Sequence, residues 1–181
     1  MIRAIPLLSA AAMLGAALLV VPSAEGQVRH DSTAPIDFDA ALIELQDKAN
    51  RAVLSGGVSI RQATMRLNAD RVTVAYTGQV IGGSPQVSRL DAAGGVTVTR
   101  PDQTARAQFA VYDLNARRIT MVGNVRLTQG TNTLNGGRLT IDLDTGRAVI
   151  DGRPSGGSAA PGTTTTPGGR VSGRFSVPER K

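Results

Sequence analysis

The residues able to do chemistry are few and scattered. The chain has one histidine, His30, and no cysteine, so thiolate chemistry, disulfides and lipoprotein acylation are all excluded. His30 falls in a short stretch, residues 27–34, that is expected to be flexible, which argues against a catalytic or metal role for the ring. Two carboxylate pairs, Asp37/Asp39 and Asp142/Asp144, have i, i+2 spacing, which on a strand puts both acids on one face. That is the wet face, opposite Ile36/Phe38 and Ile141/Leu143. Solvated charges that discourage wrong edge pairing explain the acids better than a cation site does. Arg71 and Arg138 each follow an asparagine by three residues, Asn68 and Asn135. The arginines fit solubilising positions beside strands, with contacts to ligand phosphates as the alternative, and the asparagines fit turns. The glycines precede strands rather than helices, so no phosphate-cradling loop is formed, and no serine or threonine has a base nearby. The expectation is a protein that is not an enzyme and carries neither metal nor cofactor.

The elements around these residues are strands. From Pro35 to Gly152 apolar residues recur with a period of two: Ile36/Phe38, Ile43/Leu45, Val58/Ile60, Val72/Val74, Val96/Val98, Tyr112/Leu114, Val125/Leu127 and Leu139/Ile141/Leu143. Alternation of this kind gives one apolar and one wet face. Gly56-Gly57, Gly82-Gly83, Gly94-Gly95, Gly123-Asn124, Gly136-Gly137 and Thr145-Gly146 read as turns between short strands. Residues 40–50 contain helix formers, yet Ile43 and Leu45 keep the strand alternation. The apolar positions are mostly Val, Ile and Leu, with three Phe, two Tyr and no Trp in the whole chain. Such faces must bury one another in a sandwich or rolled sheet.

One unit is written twice. Val58, Ile60, Gln62, Leu67, Asn68, Arg71, Val72 and Val74 each meet a counterpart 67 positions later, from Val125, Leu127 and Gln129 to Ile141, without a gap. "GGVTVTR", with Val96 and Val98, is a partial third copy. Repetition on this scale points to stacked hairpin units, each unable to bury its apolar face alone.

The ends differ from the middle. Arg3 precedes an apolar run from Ile5 to Val21, and Ala24-Glu25-Gly26 offers a small-x-small cleavage site, so residues 1–26 read as an export signal. The run is short for a membrane span, which needs ~20 residues, although an uncleaved anchor is the alternative. Residues 152–181 hold five Lys/Arg and one Asp/Glu, against fourteen and twelve in residues 27–151, so most of the net charge of +6 sits in the tail. That tail is rich in Gly, Pro, Ser and Thr and reads as disordered. The organisation is thus signal 1–26, flexible stretch 27–34, β domain 35–151 and basic tail 152–181.

Motifs within the β domain resemble the LptA/OstA-like family of periplasmic lipopolysaccharide-transport proteins. The first copy carries Pro35, Ile36, Phe38, Leu54-Ser55-Gly56, Val58, Ile60, Gln62, Leu67-Asn68-Ala69-Asp70-Arg71-Val72 and Val74 at the family's spacing. The second carries Tyr112, Leu114, Gly123-Asn124-Val125, Gln129-Gly130, Leu134, Gly136 and Leu139. Gly57, Ala41 and Ala63 depart from the usual Asn, Asp and Gly. The resemblance implies an all-β, twisted antiparallel jellyroll, open at both ends, with the repeats as paired layers of an apolar trough. It implies lipopolysaccharide as ligand, its acyl chains inside and its sugars and phosphates outside. Matching residue to residue, Ile36, Phe38, Leu45, Leu54, Val58, Ile60, Tyr112 and Leu114 are expected to be lipid contacts, and Val96, Val98, Val125 and Leu127 further ones. Ordinary core packing is the alternative for each.

The partners so implied are similar jellyroll domains on an inner-membrane complex with its ATPase and on an outer-membrane translocon. A head-to-tail homo-oligomer would form through edges near Ile36/Phe38 and near 147–150. Competing readings are an inner-membrane-anchored relative and a self-assembling envelope protein without cargo. Nucleic-acid binding through the tail is disfavoured by the near-balanced charge of residues 27–151 and the shortage of aromatic platforms.

Overall fold

A period of two repeated along the chain gives ten antiparallel strands in the computed structural model, which describes residues 30–78, 83–152 and 169–176. Two short strands open the domain, β1 (Ile36–Asp39) and β2 (Leu42–Gln46), followed by a 3-10 turn over Asp47–Ala49. Six long strands come next: β3 (Arg51–Gln62), β4 (Met65–Thr77), β5 (Gln86–Arg100), β6 (Gln103–Asp113), β7 (Arg118–Gln129) and β8 (Asn132–Asp142). Two more short ones follow, β9 (Ala148–Asp151) and β10 (Ser172–Arg174). Each long strand pairs with the next in sequence. The export signal expected over residues 1–26 lies outside the described residues.

Three of the glycine-containing pairs read as turns prove to be bulges inside long strands. Register breaks between Ser55/Val58, Ala93/Val96 and Val122/Val125, where Gly56-Gly57, Gly94-Gly95 and Gly123-Asn124 all have positive φ. An extra residue that the partner strand does not match bends the bulged strand and sharpens its twist. The three bulges fall in one row across the sheet, so every long strand bends at the same level. Glycine is required at the first position of each. A Cβ on Gly56 would lie 2.6 Å from Ala41 Cβ, and one on Gly94 or Gly123 would collide with Asp70 or Gln108 of the preceding strand. Gly136-Gly137, also read as a turn, lies within β8, whereas Thr145-Gly146 is a turn; Gly82 lies outside the described residues.

The bend row divides the sheet into two halves. One comprises β2, β9 and residues 51–55, 71–77, 86–93, 109–113, 118–122 and 138–142. The other comprises β1, β10 and residues 58–62, 65–69, 96–100, 103–107, 125–129 and 132–136. Their apolar faces meet in one buried cluster that takes Leu54, Val72, Leu90, Ile119, Met121, Leu139 and Ile141 from the first half and Val58, Leu67, Val96, Val98, Val125 and Leu127 from the second. The molecule is a sheet folded on itself, not closed into a barrel, and its ten strands match the expected jellyroll class.

The repeats take a different place from that expected. They are the β3–β4 and β7–β8 hairpins of the same sheet, separated by β5–β6. Each hairpin crosses the bend and lends one segment to each layer, so the copies are not themselves two facing layers. Asn68 and Asn135 lie within β4 and β8 rather than in turns. Among non-glycine residues the left-handed conformation is taken by Asn50, Ala63, Arg117 and Asn124.

The described residues on either side of the β domain are more structured than their composition suggests. Residues 30–34, expected to be flexible, are held against the domain, with His30 buried. Ser172–Arg174, inside the tail expected to be disordered, pairs with Thr133–Asn135 of β8. Glycine eases that pairing, since a Cβ on Gly173 would force the Leu134 side chain to shift. The edges of the sheet are therefore β1 with β2 on one side and β9 with β10 on the other, so the terminal edge expected at 147–150 is shared with the tail.

Candidate functional site

The interior is built from alternate residues of the six long strands, and most of the expected lipid contacts line it. Leu54, Val58, Ile60, Val96, Val98, Tyr112, Val125 and Leu127 are buried in the common cluster, and Ile36 and Leu114 pack against it half-buried. Phe38 and Leu45 differ, being 55% and 54% exposed. Their register explains this. Phe38 pairs with Ile60 and Leu45 with Ala52, which turns both toward the interior side, but they stand on the outermost strands where nothing covers them.

Sequence reading missed the alanines. Ala92, Ala105, Ala107 and Ala110 line the middle of the sheet and are buried. Cross-strand pairs such as Ala92↔Ala110 put small side chains opposite one another, between larger pairs such as Leu54↔Val72 and Met121↔Leu139 on either flank. Alternating alanines on β6 were visible as a pattern, but small side chains carry a weak hydropathy signal.

A polar clasp joins the two layers. Val58, Ile60 and Gln62 share a face of β3, so Gln62 is forced into the apolar interior, where its amide is 2% exposed. A buried amide must be hydrogen-bonded throughout. The Tyr112 hydroxyl donates to Gln62 Oε1 at 2.7 Å, and His30 Nε2 stands 3.1 Å from the same oxygen. Gln62 Nε2 donates to the carbonyl oxygens of Ser32 and Ala34, both at 3.0 Å. Two donors on the oxygen and two acceptors on the nitrogen use the whole amide and fix its orientation. Gln62 belongs to one layer and Tyr112 to the other, so this network fastens the layers together and straps residues 30–34 over the same end.

Electrostatics follow from the burial. Desolvation is the main reason that His30 is held below its ordinary pKa of 6.5; the Gln62 bond opposes the shift and the charge of Arg100 adds to it. Burial pushes the Tyr112 phenol up, which keeps it a neutral donor. No group of three metal-binding side chains occurs among the described residues. Asp142 caps the turn after β8 by accepting from the Thr145 backbone N–H at 2.9 Å and its hydroxyl at 2.8 Å, bonds that hold its pKa below the ordinary carboxylate value. Asp144 pairs with Arg117 at 3.2 Å.

At the β1/β2 edge Phe38, Leu42, Ile43 and Leu45 are exposed; at the opposite end Val149, Val171 and Phe175 are exposed. On the inward side apolar residues reach both edges, with Phe38, Ile43 and Leu45 at one and Ile150 at the other, while Leu42 and Val149 face outward; a strand at the edge of a sheet is a template for pairing with another chain. No helix among the described residues is long and apolar enough to cross a membrane.

Comparison with known proteins agrees with this geometry. Residues 38–147 match the family described as LptA/(LptD N-terminal domain) LPS transport protein. A curated relative, an uncharacterized protein of Rhizobium meliloti (strain 1021), is 28% identical over 149 residues, covering 80% of each chain. Among solved structures, LptH of Pseudomonas aeruginosa, described as the LptA-homologous periplasmic component of the conserved lipopolysaccharide transport device, superposes with a TM-score of 0.65. That match is 20% identical and covers 82% of this chain and 99% of LptH. At that identity the likeness shows the fold.

Proposed function

Because this chain belongs to the LptA/LptD N-terminal domain family of LPS transport proteins, we propose that it works in the periplasm, shielding the acyl chains of lipopolysaccharide between its two layers. The observation that carries this reading is the interior itself, a single apolar face doubled over and open at both edges. Each methylene removed from water is worth ~0.8 kcal/mol, so an acylated lipid meets a prohibitive barrier in an aqueous compartment unless an apolar path replaces the water. The buried inner residues pack against one another, so acyl chains enter by parting the layers. The alanine-lined middle is where parting displaces least volume, and Phe38 and Leu45 at the open edge are placed to touch the lipid first.

Assembly follows from the edges. A strand edge with exposed apolar residues at each end accepts a neighbour by strand addition, and a head-to-tail contact propagates the trough or hands it to a related jellyroll domain at either membrane. The contact is heterologous, β1/β2 of one copy against β9/β10 of the next. No reaction step is needed, and energy for transport comes from partners.

Photocrosslinking tests the reading. Probes at Phe38 and Tyr112 are expected to capture lipopolysaccharide, and a probe at Thr120, on the outer face of β7 in the first layer, is not. Capture at none of the three by folded protein, or equal capture at Thr120, would remove the case for an acyl-carrying interior.

A further inference from the structure

The outer faces of the two layers carry charge differently. On the first layer acids and arginines are interleaved: Arg89 pairs in register with Asp113, Asp113 with Arg118 and Arg118 with Asp142, and Arg89 also bridges Asp91 at 2.7 Å. On the second layer Arg61 lies in register between Arg66 and Asp37 of β1, whereas Arg106 and Arg126 face each other with no acid in register. The other outward positions of β5–β8 and β10 are threonines with Asn135, Ser172 and Arg174, and these strands carry no carboxylate in this layer. Like charges directly opposite on a sheet repel and destabilise it, so this face is built at a cost that a bound anion would offset.

The shape at the Arg126 position fits such an anion. A groove of about 630 Å³ lies along the bend row, within the range of small-ligand sites. Arg126 and Arg170 line it with Gln108, Asn124 and Asn135, and backbone of Gly123 and the neighbouring glycines completes it. A second depression of about 250 Å³ adjoins it, lined by Thr104, Arg106, Arg126 and Thr128, so Arg126 serves both. Arg126 Nε donates to Asn135 Oδ1 at 3.2 Å, which orients the guanidinium and leaves its other N–H groups for a ligand. The register break between Val122 and Val125 takes Gly123 and Asn124 out of the ladder with β8, beside the same groove. Guanidinium groups match phosphate oxygens bidentately. Amide and hydroxyl side chains match sugar hydroxyls, and the described lining residues include no aromatic ring on which a base would stack.

From this arrangement we propose that the outer face of the second layer holds a binding site for a phosphorylated sugar, centred on Arg126 and flanked by Arg106 and Arg170. The site is separate from the acyl-carrying interior and does not depend on it.

The test titrates the purified protein with glucose 6-phosphate, glucose and inorganic phosphate, followed by backbone amide shifts. Vesicles of phosphatidylglycerol and of phosphatidylcholine serve as a separate arm. Saturable binding of glucose 6-phosphate, tighter than inorganic phosphate and absent for glucose, is expected, with shifts centred on Gly123, Asn124, Arg126 and Gly136. Arg126→Gln is expected to weaken it at least tenfold, and Arg118→Gln, on the other layer's outer face, less than twofold. Both side chains are exposed, so neither change threatens the fold, and far-UV circular dichroism verifies this. Equal losses in the two variants would reduce the effect to general electrostatics and overturn the site, as would absence of saturable binding. Capture by phosphatidylglycerol vesicles alone would overturn it in favour of a membrane-docking face. No acylated sugar is present in the titration, so its failure leaves the transport reading standing.

Discussion

Replacing Gln62 by leucine tests whether the clasp holds the layers together. The substitution keeps the side-chain volume nearly constant and removes four hydrogen bonds at once. Not all four losses weigh equally. The His30 ring and the carbonyls of Ser32 and Ala34 belong to a terminal strap that can swing into water and recover its hydrogen bonds there. The Tyr112 hydroxyl cannot, because Tyr112 is 1% exposed and anchored in β6. Leaving that donor buried and unpaired costs about 1–3 kcal/mol, and losing the strap's contacts adds about 1 kcal/mol more. The total is roughly 2–4 kcal/mol. For a domain of this size it amounts to a fall of about 6–15 °C in Tm, measured by thermal melting under far-UV circular dichroism.

The sharper measurement is a double-mutant cycle with Tyr112→Phe in urea. Phenylalanine removes the buried donor, so most of the penalty of Gln62→Leu disappears in the double variant, and the two changes should be non-additive by about 1 kcal/mol or more. Additivity within about 0.3 kcal/mol would mean that Gln62 and Tyr112 do not act on each other, and the clasp would have to be abandoned. A second readout separates clasp from ordinary core packing. If the bond holds the layers shut, Gln62→Leu should speed photocrosslinking of lipopolysaccharide from Phe38 even as it lowers Tm, whereas a simple packing defect would slow it.

Two further outcomes follow from the bend row and the strap. Gly56→Ala should destabilise by about 1–3 kcal/mol, since alanine at φ 84 is strained and its Cβ meets Ala41; Gly57→Ala, with open space around the Cβ, should cost less, and equal melting temperatures for the two would contradict the bend geometry. The lowered pKa of His30 makes the unfolded chain bind more protons than the folded one once the pH drops under 6.5. Its contribution to stability is therefore complete above pH 6.5 and declines as the pH falls from there toward the folded-state value. Subtracting the urea-unfolding profile of His30→Asn from that of the native chain should expose this slope, and a flat difference would mean that the ring is not buried in solution.

The period-two alternation by itself determined that the domain is built of strands and which side chains face inward, because strand geometry sends alternate residues to opposite faces whatever the tertiary context. Val58, Ile60, Val96, Val98, Val125 and Leu127 were readable for that reason. The 67-residue repeat likewise announced two equivalent hairpins. The sequence did not reveal that Gly56-Gly57, Gly94-Gly95 and Gly123-Asn124 lie in one row, since a glycine pair inside an alternating run looks the same whether the chain turns back or merely bends. Partner strands settle that distinction, through residues such as Asp70 and Gln108 that lie over the glycines. The same limit hid the clasp. Gln62 at an inward position signalled a need for partners, but His30 is 32 residues away in the chain and Tyr112 is 50, and only folding the sheet on itself brings them within reach. It also brought Arg106 and Arg126 together, because they come from two different strands and face each other only when register aligns them. Local steric rules act over a few residues and are written in the sequence, whereas contacts between layers depend on where the whole sheet bends.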